Sequence, residues 1–425
     1  MTNRRSTVGK LMRALGFLLV TIWHPLLAQT PENFKIAFIG DQGMGEDAVA
    51  VLNLIKNEGA DAVLHQGDFD YDDDPASWDA QINSILGPDF PYFGCAGNHD
   101  EDAWEGAGGY QEFLATRLNR LGISWDGDLG TKSSLSYKGI FMVLVAPDVF
   151  GSGHADYIRQ QLAEDNSIWR ICSWHKNMEA MQVGGKSDET GWEVYEEATN
   201  GGAIIATAHE HSYSRTHLLS NIRNQTVVSS SDNLTITRGE TFVFVSGLGG
   251  RSIREQERSG AYWASIYTSN QDANFGALFG IFNVNGVANR AEFYFKDIHG
   301  TIVDRFNVIS EVSGGSNGQD EDEGEGIPTS VVPEFDLEQN YPNPFNPTTT
   351  IRFRLSEAGP VKLTIFNLQG HRVRTLFEGG MPADQPMTIQ WDARNDAGEL
   401  VPSGTYYYRL EFNGQTQTKG LVFMR

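Results

Sequence analysis

Cysteine is almost missing from this chain: Cys95 and Cys172 are the two it has among 425 residues. That excludes a disulfide framework and a cysteine-rich zinc site. Each thiol sits in an apolar run, so two buried, packed thiols are expected rather than a bridge. Positive charge is also short, with 32 Lys and Arg against 55 Asp and Glu and a net charge of −23. This argues against a long nucleic acid as a stable partner, because its phosphates would be repelled except at a local positive site. A small anionic substrate stays open, since bound cations reverse the field locally. Long hydrophobic runs are lacking too. The apolar stretch Leu15 to Trp23 is far short of the roughly 20 residues that a spanning helix needs. Preceded by Arg4, Arg5, Lys10 and Arg13 and followed by Leu26-Leu27-Ala28, it reads as an export signal over residues 1–28. The mature chain is then expected outside the cytoplasm with no transmembrane segment.

Apolar runs alternate with amphipathic segments from Phe34 onward. Strands are expected at Lys35–Ile39, Ala62–His65, Tyr92–Ala96, Ile140–Ala146, Trp169–Ser173 and Ala203–Ala206. Helices fit Glu46–Lys56, where Ala48, Val51, Leu52 and Ile55 share one face, and the segments Ser77–Leu86 and Tyr110–Leu121. This rhythm predicts an α/β sheet core. The segments 226–229, 234–237, 241–246, 279–284, 292–296 and 301–308 read as strands with few helices between them. They are expected to form a second sheet packed on the first, closing a domain over residues 34–310. Residues 311–331 read as a solvated linker, because Asp320 to Glu325 repels itself into an extended state. Residues 332–425 alternate with a period of two and predict a small all-β, immunoglobulin-like sandwich.

The polar residues that end the first set of strands are Asp41; Asp68 and Tyr71; Asn98, His99 and Asp100; His175; His209 and His211. In α/β sheets, ligands gather beyond the carboxyl ends of the strands. Carboxylates, imidazoles, an amide and a phenol suit two metal ions with mixed oxygen and nitrogen coordination. Two such ions would clamp a phosphoryl group and generate a bound hydroxide at neutral pH. His65, His154, His217, His299 and His371 have no such company and are expected to be structural. Gly247-Leu248-Gly249-Gly250 lacks the lysine of a phosphate loop and reads as a turn. Tyr213 and Arg215 are candidates for the cleft wall, and Lys176 for a phosphate contact.

Asp41-Gln42-Gly43, Gly67-Asp68-Phe69-Asp70-Tyr71, Gly97-Asn98-His99-Asp100, His175 and Ala208-His209-Glu210-His211 resemble the blocks of the calcineurin-like metallophosphoesterases, and within them the purple acid phosphatase branch. The resemblance implies two packed mixed sheets flanked by helices and a phosphoric ester hydrolase acting on a small phosphate ester, most readily a phosphomonoester. It also implies one metal held by Asp41, Tyr71 and His211, a second held by Asn98, His175 and His209, and Asp68 bridging both. His99 would be the general acid or a transition-state stabiliser, with Asp100 orienting it. The tyrosine implies Fe(III) at the first position, with Fe(II), Zn or Mn at the second. Alternatives are a phosphodiesterase or nuclease on the same site, or a surface binding protein with a non-catalytic metal site. Ala208 stands where the family has glycine, which is mild if its φ is negative. The Gln339–Pro347 string and the pair Trp391-Asp392 and Ser403-Gly404-Thr405-Tyr406 resemble the sorting domain of the type IX secretion system. That implies the secretion machinery as a partner and an extracellular or outer-surface location reached through the periplasm.

Overall fold

The computed structural model describes residues 30–312, 335–337, 340, 345–355, 357–367, 371–383, 387–413 and 415–424. The expected export signal, most of the linker and part of the Gln339–Pro347 string lie outside them. The chain divides into two compact units, Met1–Asn317 and Gly318–Arg425.

The first unit begins with β1 (Phe34–Ile39), α1 (Glu46–Asn57), β2 (Ala62–His65), α2 (Pro75–Ile85), β3 (Tyr92–Gly94), α3 (Glu101–Trp104) and α4 (Tyr110–Arg120). There follow β4 (Asp126–Asp128), β5 (Lys132–Tyr137), β6 (Ile140–Val145), α5 (His154–Glu164), β7 (Trp169–Ser173), α6 (Trp192–Asn200) and β8 (Ile204–Thr207). The remainder is β9 (Tyr213–Thr216), β10 (Leu218–Asn221), β11 (Thr226–Ser229), β12 (Asn233–Ile236), β13 (Val243–Ser246), β14 (Trp263–Tyr267), β15 (Gly276–Phe282), β16 (Arg290–Asp297) and β17 (Ile302–Ser310). Local chemistry explains the helices nearest the strand ends. In α1, Glu46 and Asp47 occupy the first turn and Lys56 the last, matching the helix dipole, while Val51, Leu52 and Ile55 are buried. In α2, Pro75 opens the helix and the Asp74 carboxylate accepts the Ser77 N–H at 3.1 Å.

A 7-stranded sheet runs β12-β17-β16-β15-β1-β2-β3, and an 8-stranded sheet runs β14-β9-β13-β8-β7-β6-β5-β4. Both are mixed: β1, β2 and β3 are parallel, as are β6, β7, β8 and β13, and most other pairs are antiparallel. Their facing surfaces interlock through edge-on aromatic pairs, Phe38 with Phe244 at 5.2 Å and Trp169 with Phe282 at 5.1 Å. Residues of α1, α2 and α4 belong to the core of the first sheet, and residues of α5 and α6 cover the outer face of the second. This is the helix–sheet–sheet–helix layering expected. The partition of the strands is a correction: those beyond residue 226 do not make a sheet of their own. β12, β15, β16 and β17 extend the sheet begun by β1, β2 and β3, while β13 and β14 join the sheet of β7 and β8. Period-two alternation shows that a strand has a buried face but not which neighbour it pairs with. Cys95 and Cys172 are both buried free thiols, and burial pushes both thiols well above their usual range, so neither is primed for reaction.

Ala208 has no left-handed backbone, so its side chain carries no conformational penalty. Its methyl instead occupies room across the sheet interface, where a Cβ on Gly40 would lie 2.3 Å from the Ala208 Cβ. Gly40→Ala is therefore expected to destabilise the protein by about 1–3 kcal/mol through overpacking. Adding Ala208→Gly should restore most of that loss in urea denaturation. Failure of the double variant to recover would mean that the two residues do not compete for this space.

The second unit comprises β18 (Phe335–Leu337), β19 (Thr349–Leu355), β20 (Gly359–Asn367), β21 (Arg372–Met381), β22 (Met387–Trp391), β23 (Gly404–Phe412) and β24 (Gln415–Phe423). A 3-stranded sheet, β18-β19-β22, and a 4-stranded sheet, β21-β20-β23-β24, enclose Ile351, Phe353, Leu363, Ile365, Trp391, Tyr408 and Leu410. This is the antiparallel sandwich read from the alternating pattern.

Candidate metal centre

The loops that follow β1, β2, β3, β7 and β8 meet at one edge of the two sheets. Backbone bonds stitch them together: Gly40 N–H to Ser246 O (2.9 Å), Asp41 N–H to Gly67 O (3.1 Å) and Ala208 N–H to His175 O (3.2 Å). Asp41, Asp68, Tyr71 and His209 all adopt left-handed φ, at 56°, 59°, 67° and 67°. Such conformations in non-glycine residues cost of order 1–3 kcal/mol each and concentrate at functional sites. Gly67, at φ 90°, has no space for a side chain, since a Cβ would stand 2.8 Å from His175 Nδ1. His65 supports this turn from below by accepting the Gly67 N–H at 3.1 Å. Burial lowers its pKa to about 3, so it remains the neutral acceptor.

Two groups of donor atoms result. In the first, Tyr71 Oη lies 2.9 Å from Asp41 Oδ1 and 3.1 Å from His211 Nε2, and His211 Nε2 is 3.3 Å from Asp41 Oδ1. In the second, His175 Nε2 lies 3.2 Å from Asp68 Oδ2 and 3.0 Å from His209 Nδ1. Donor atoms of Asp68, His175 and His209 all fall within 4.8 Å of one another. Asn98 follows β3, and its Oδ1 is buried without a hydrogen-bond partner, as is Asp41 Oδ2.

Each imidazole has its outer nitrogen committed. His175 Nδ1 meets Gln66 O at 2.8 Å, His209 Nε2 meets Glu189 Oε2 at 2.8 Å, and His211 Nδ1 meets Ser252 Oγ. These bonds direct the opposite nitrogen of each ring to the centre, the arrangement by which outer partners orient metal-binding histidines. The electrostatics agree. Burial raises the pKa of the Tyr71 phenol, and the Asp41 and Asp68 charges raise it further. Burial opposes the charged form of His175, yet Asp68 and then Asp41 bring its pKa up to about 9. Burial drops His209 to about 4, with Glu189 pulling the other way. Crowded anionic oxygens, inward lone pairs and orphaned acceptors together fit cations.

His99 is exposed, and its ring centroid is 4.6 Å from that of Tyr71. Asp100 stands elsewhere and corrects the expectation that it orients His99. Its buried carboxylate accepts the N–H groups of Asp68 (2.8 Å), Phe69 (2.8 Å) and Gly97 (2.7 Å), so it braces two site loops. Burial and the Asp68 charge push its pKa up to about 7, with the N–H groups acting in the opposite sense. Tyr213 and Arg215 do not line the cleft: both are buried, Tyr213 bonds Asp304, and Arg215 binds Asp304 while stacking at 4.0 Å on Phe306. Lys176 is engaged by Asp148 Oδ2 at 2.9 Å. Gly247–Gly250 is an irregular loop with bends at Gly249 and Gly250, and it passes directly beneath the site. A Cβ on Gly247 would lie 2.6 Å from Asp41 Oδ2.

Glu189 and Ser252 are the residues that sequence reasoning missed. Neither sits in a recognisable block, and only the fold carries them to the histidines. Glu189→Ala is expected to weaken metal affinity about 10–100-fold, read by competition with a chromogenic chelator. Unchanged affinity would show that the Glu189–His209 bond does not orient the ring.

Residues 34–213 match the calcineurin-like phosphoesterase family, and residues 342–415 match the FlgD Ig-like domain family. No curated protein matches the chain. Among solved structures, the purple acid phosphatase PPD1 from yellow lupin (Lupinus luteus) seeds is similar at 17% identity and a TM-score of 0.51. That match covers 67% of this chain and 55% of the lupin chain, so it spans about half of that enzyme and is a likeness of fold. PhoD is similar at 11% identity and a TM-score of 0.40, over 70% of this chain and 76% of its own. The first unit of this protein thus contains the segment similar to the calcineurin-like phosphoesterase family, and the second the segment similar to the FlgD Ig-like domain family.

Proposed function

We propose that this protein is an exported, dinuclear-metal phosphoric ester hydrolase that acts on phosphomonoesters. The observation that carries the reading is the set of inward-facing imidazole nitrogens of His175, His209 and His211, gathered around Asp41, Asp68 and Tyr71. Asp41, Tyr71 and His211 would hold one ion; Asn98, His175 and His209 the other; Asp68 would serve both. A phenolate is a hard anionic donor, which favours Fe(III) beside Tyr71, with Fe(II), Zn or Mn at the second position. When bound, the pair supplies Lewis-acid polarisation of the phosphoryl oxygens and an activated water. The protein's own groups do the rest. Asp100 fixes the Asp68 and Gly97 loops, and Glu189 and Ser252 fix the histidine rings. Exposed His99 stands at the mouth, where it protonates the leaving oxygen or stabilises the charge that develops there.

Metal analysis of the purified protein, combined with hydrolysis of a chromogenic phosphomonoester and its bis-ester, tests this reading. Turnover of the monoester with about two ions per chain is expected. A metal-loaded protein inactive on both esters would overturn it, and a preference for the bis-ester would make it a phosphodiesterase. A visible phenolate-to-iron band should accompany Fe(III) and vanish in Tyr71→Phe.

Export and sorting rest on the basic and apolar start of the chain and on the sandwich with its Trp391-Asp392 and Ser403–Tyr406 segments. In a host with a type IX secretion system, truncation before residue 332 should leave the enzyme in the periplasm. Undiminished release of the truncated chain would rule out a sorting role.

A further inference from the structure

We propose that Arg251 reads the phosphate end of the substrate and makes the site select dianionic monoesters over monoanionic diesters. The inference rests on the phosphoesterase reading above and narrows its substrate class. Arg251 follows the Gly247–Gly250 loop, and its backbone N–H donates to Asp41 O at 3.0 Å. Three residues later the Arg254 N–H donates to His211 O at 2.9 Å, and between them Ser252 bonds the His211 ring. The segment is therefore tied to the first donor group along its length. Its guanidinium carbon lies 4.5 Å from the centroid of the Tyr71 ring, on which His99 also packs.

Arg251 is exposed and, unlike Arg254 and Lys176, has no carboxylate at ion-pairing distance among the described residues. Arg254 is occupied by His209 O and Glu210, and Lys176 by Asp148. A guanidinium next to two bound cations is electrostatically unfavourable unless an anion lies between them. The group that would lie there in turnover is the phosphoryl end of the substrate. Its terminal oxygens match the parallel N–H donors of arginine, and charge-assisted bidentate pairing is the strongest form of that contact. A diester carries one charge fewer and replaces one of those oxygens with an alkoxy group, so it gains less from Arg251. His99 and Arg251 then flank Tyr71 as two arms, one directed to the leaving oxygen and one to the oxygens that stay.

Arg251→Ala and Arg251→Lys test this. For the alanine variant, kcat/KM on the chromogenic monoester should fall roughly 10–100-fold, and the monoester-to-bis-ester ratio should fall at least about tenfold with it. The lysine variant, which keeps the charge without the fork, should recover only part of the loss. Independently of turnover, calorimetric titration of the metal-loaded protein with inorganic phosphate should show a Kd weakened by a similar factor, with metal content unchanged. Equal losses on both esters, an unchanged phosphate Kd, or loss of metal in the alanine variant would each overturn the assignment. If the wild type hydrolyses neither ester, the enzymatic reading fails. The phosphate titration then still decides whether Arg251 holds the anion.

Discussion

Asp68→Asn is expected to lower kcat/KM by on the order of a thousandfold or more and to strip metal from the protein. Asn keeps the shape of the side chain, so the change isolates charge and one acceptor oxygen. Asp68 Oδ2 faces His175 Nε2 at 3.2 Å, and Oδ1 accepts the His99 N–H at 2.9 Å. Its own N–H is held by Asp100, and Gly97 leaves no room to shift, since a Cβ there would lie 2.2 Å from Asp68 Oδ1. A residue so confined cannot move to let a neighbour replace it. Losing the Lewis-acid contribution of one ion removes several kcal/mol of transition-state stabilisation, and each ~1.4 kcal/mol is a tenfold change in rate. Elemental analysis and steady-state kinetics on the same preparation check the prediction. A variant that retains both ions and stays within tenfold of the parent activity would rule out a bridging role.

His99→Ala should behave oppositely with respect to metal. The bond that ties this position to Asp68 comes from the His99 backbone, which alanine preserves. The exposed ring contributes packing on Tyr71 and nothing to the donor groups. Turnover is expected to fall roughly 10²–10⁴-fold at normal metal content. The fall should be smallest for a nitrophenyl ester, whose leaving group needs no proton, and largest for an alkyl ester. A loss of equal size on both would identify His99 as an electrostatic stabiliser rather than an acid. Loss of metal would show instead that it is a ligand.

Much of the site could be read from the sequence because its residue types fall just beyond short apolar runs, where an α/β sheet delivers its loops. Asp41, Asp68, Tyr71, Asn98, His175, His209 and His211 all reach the same edge of the sheets. Arg215 went astray for an instructive reason. Three residues past a site loop, on β9, it looks like a cleft residue in sequence, but the strand turns it inward to Asp304 on a distant strand. Asp100 likewise adjoins His99 in the chain while its carboxylate turns back to the backbone of the neighbouring loop. Adjacency in sequence does not set side-chain direction when the backbone changes region within two residues.

The sequence by itself determined the layers, the positions of the strand ends and the chemical character of the site. Burial periodicity and residue type are local properties, and they survive without knowledge of partners. Which strands pair was decided only in three dimensions: β15, β16 and β17 return from the far end of the domain to extend the sheet of β1, β2 and β3. The outer partners of the histidines were decided there too. Glu189 and Ser252 belong to loops with no motif, and they become supports because sheet packing brings those loops against His209 and His211. Long-range hydrogen bonds depend on distance in space, for which separation along the chain carries no information.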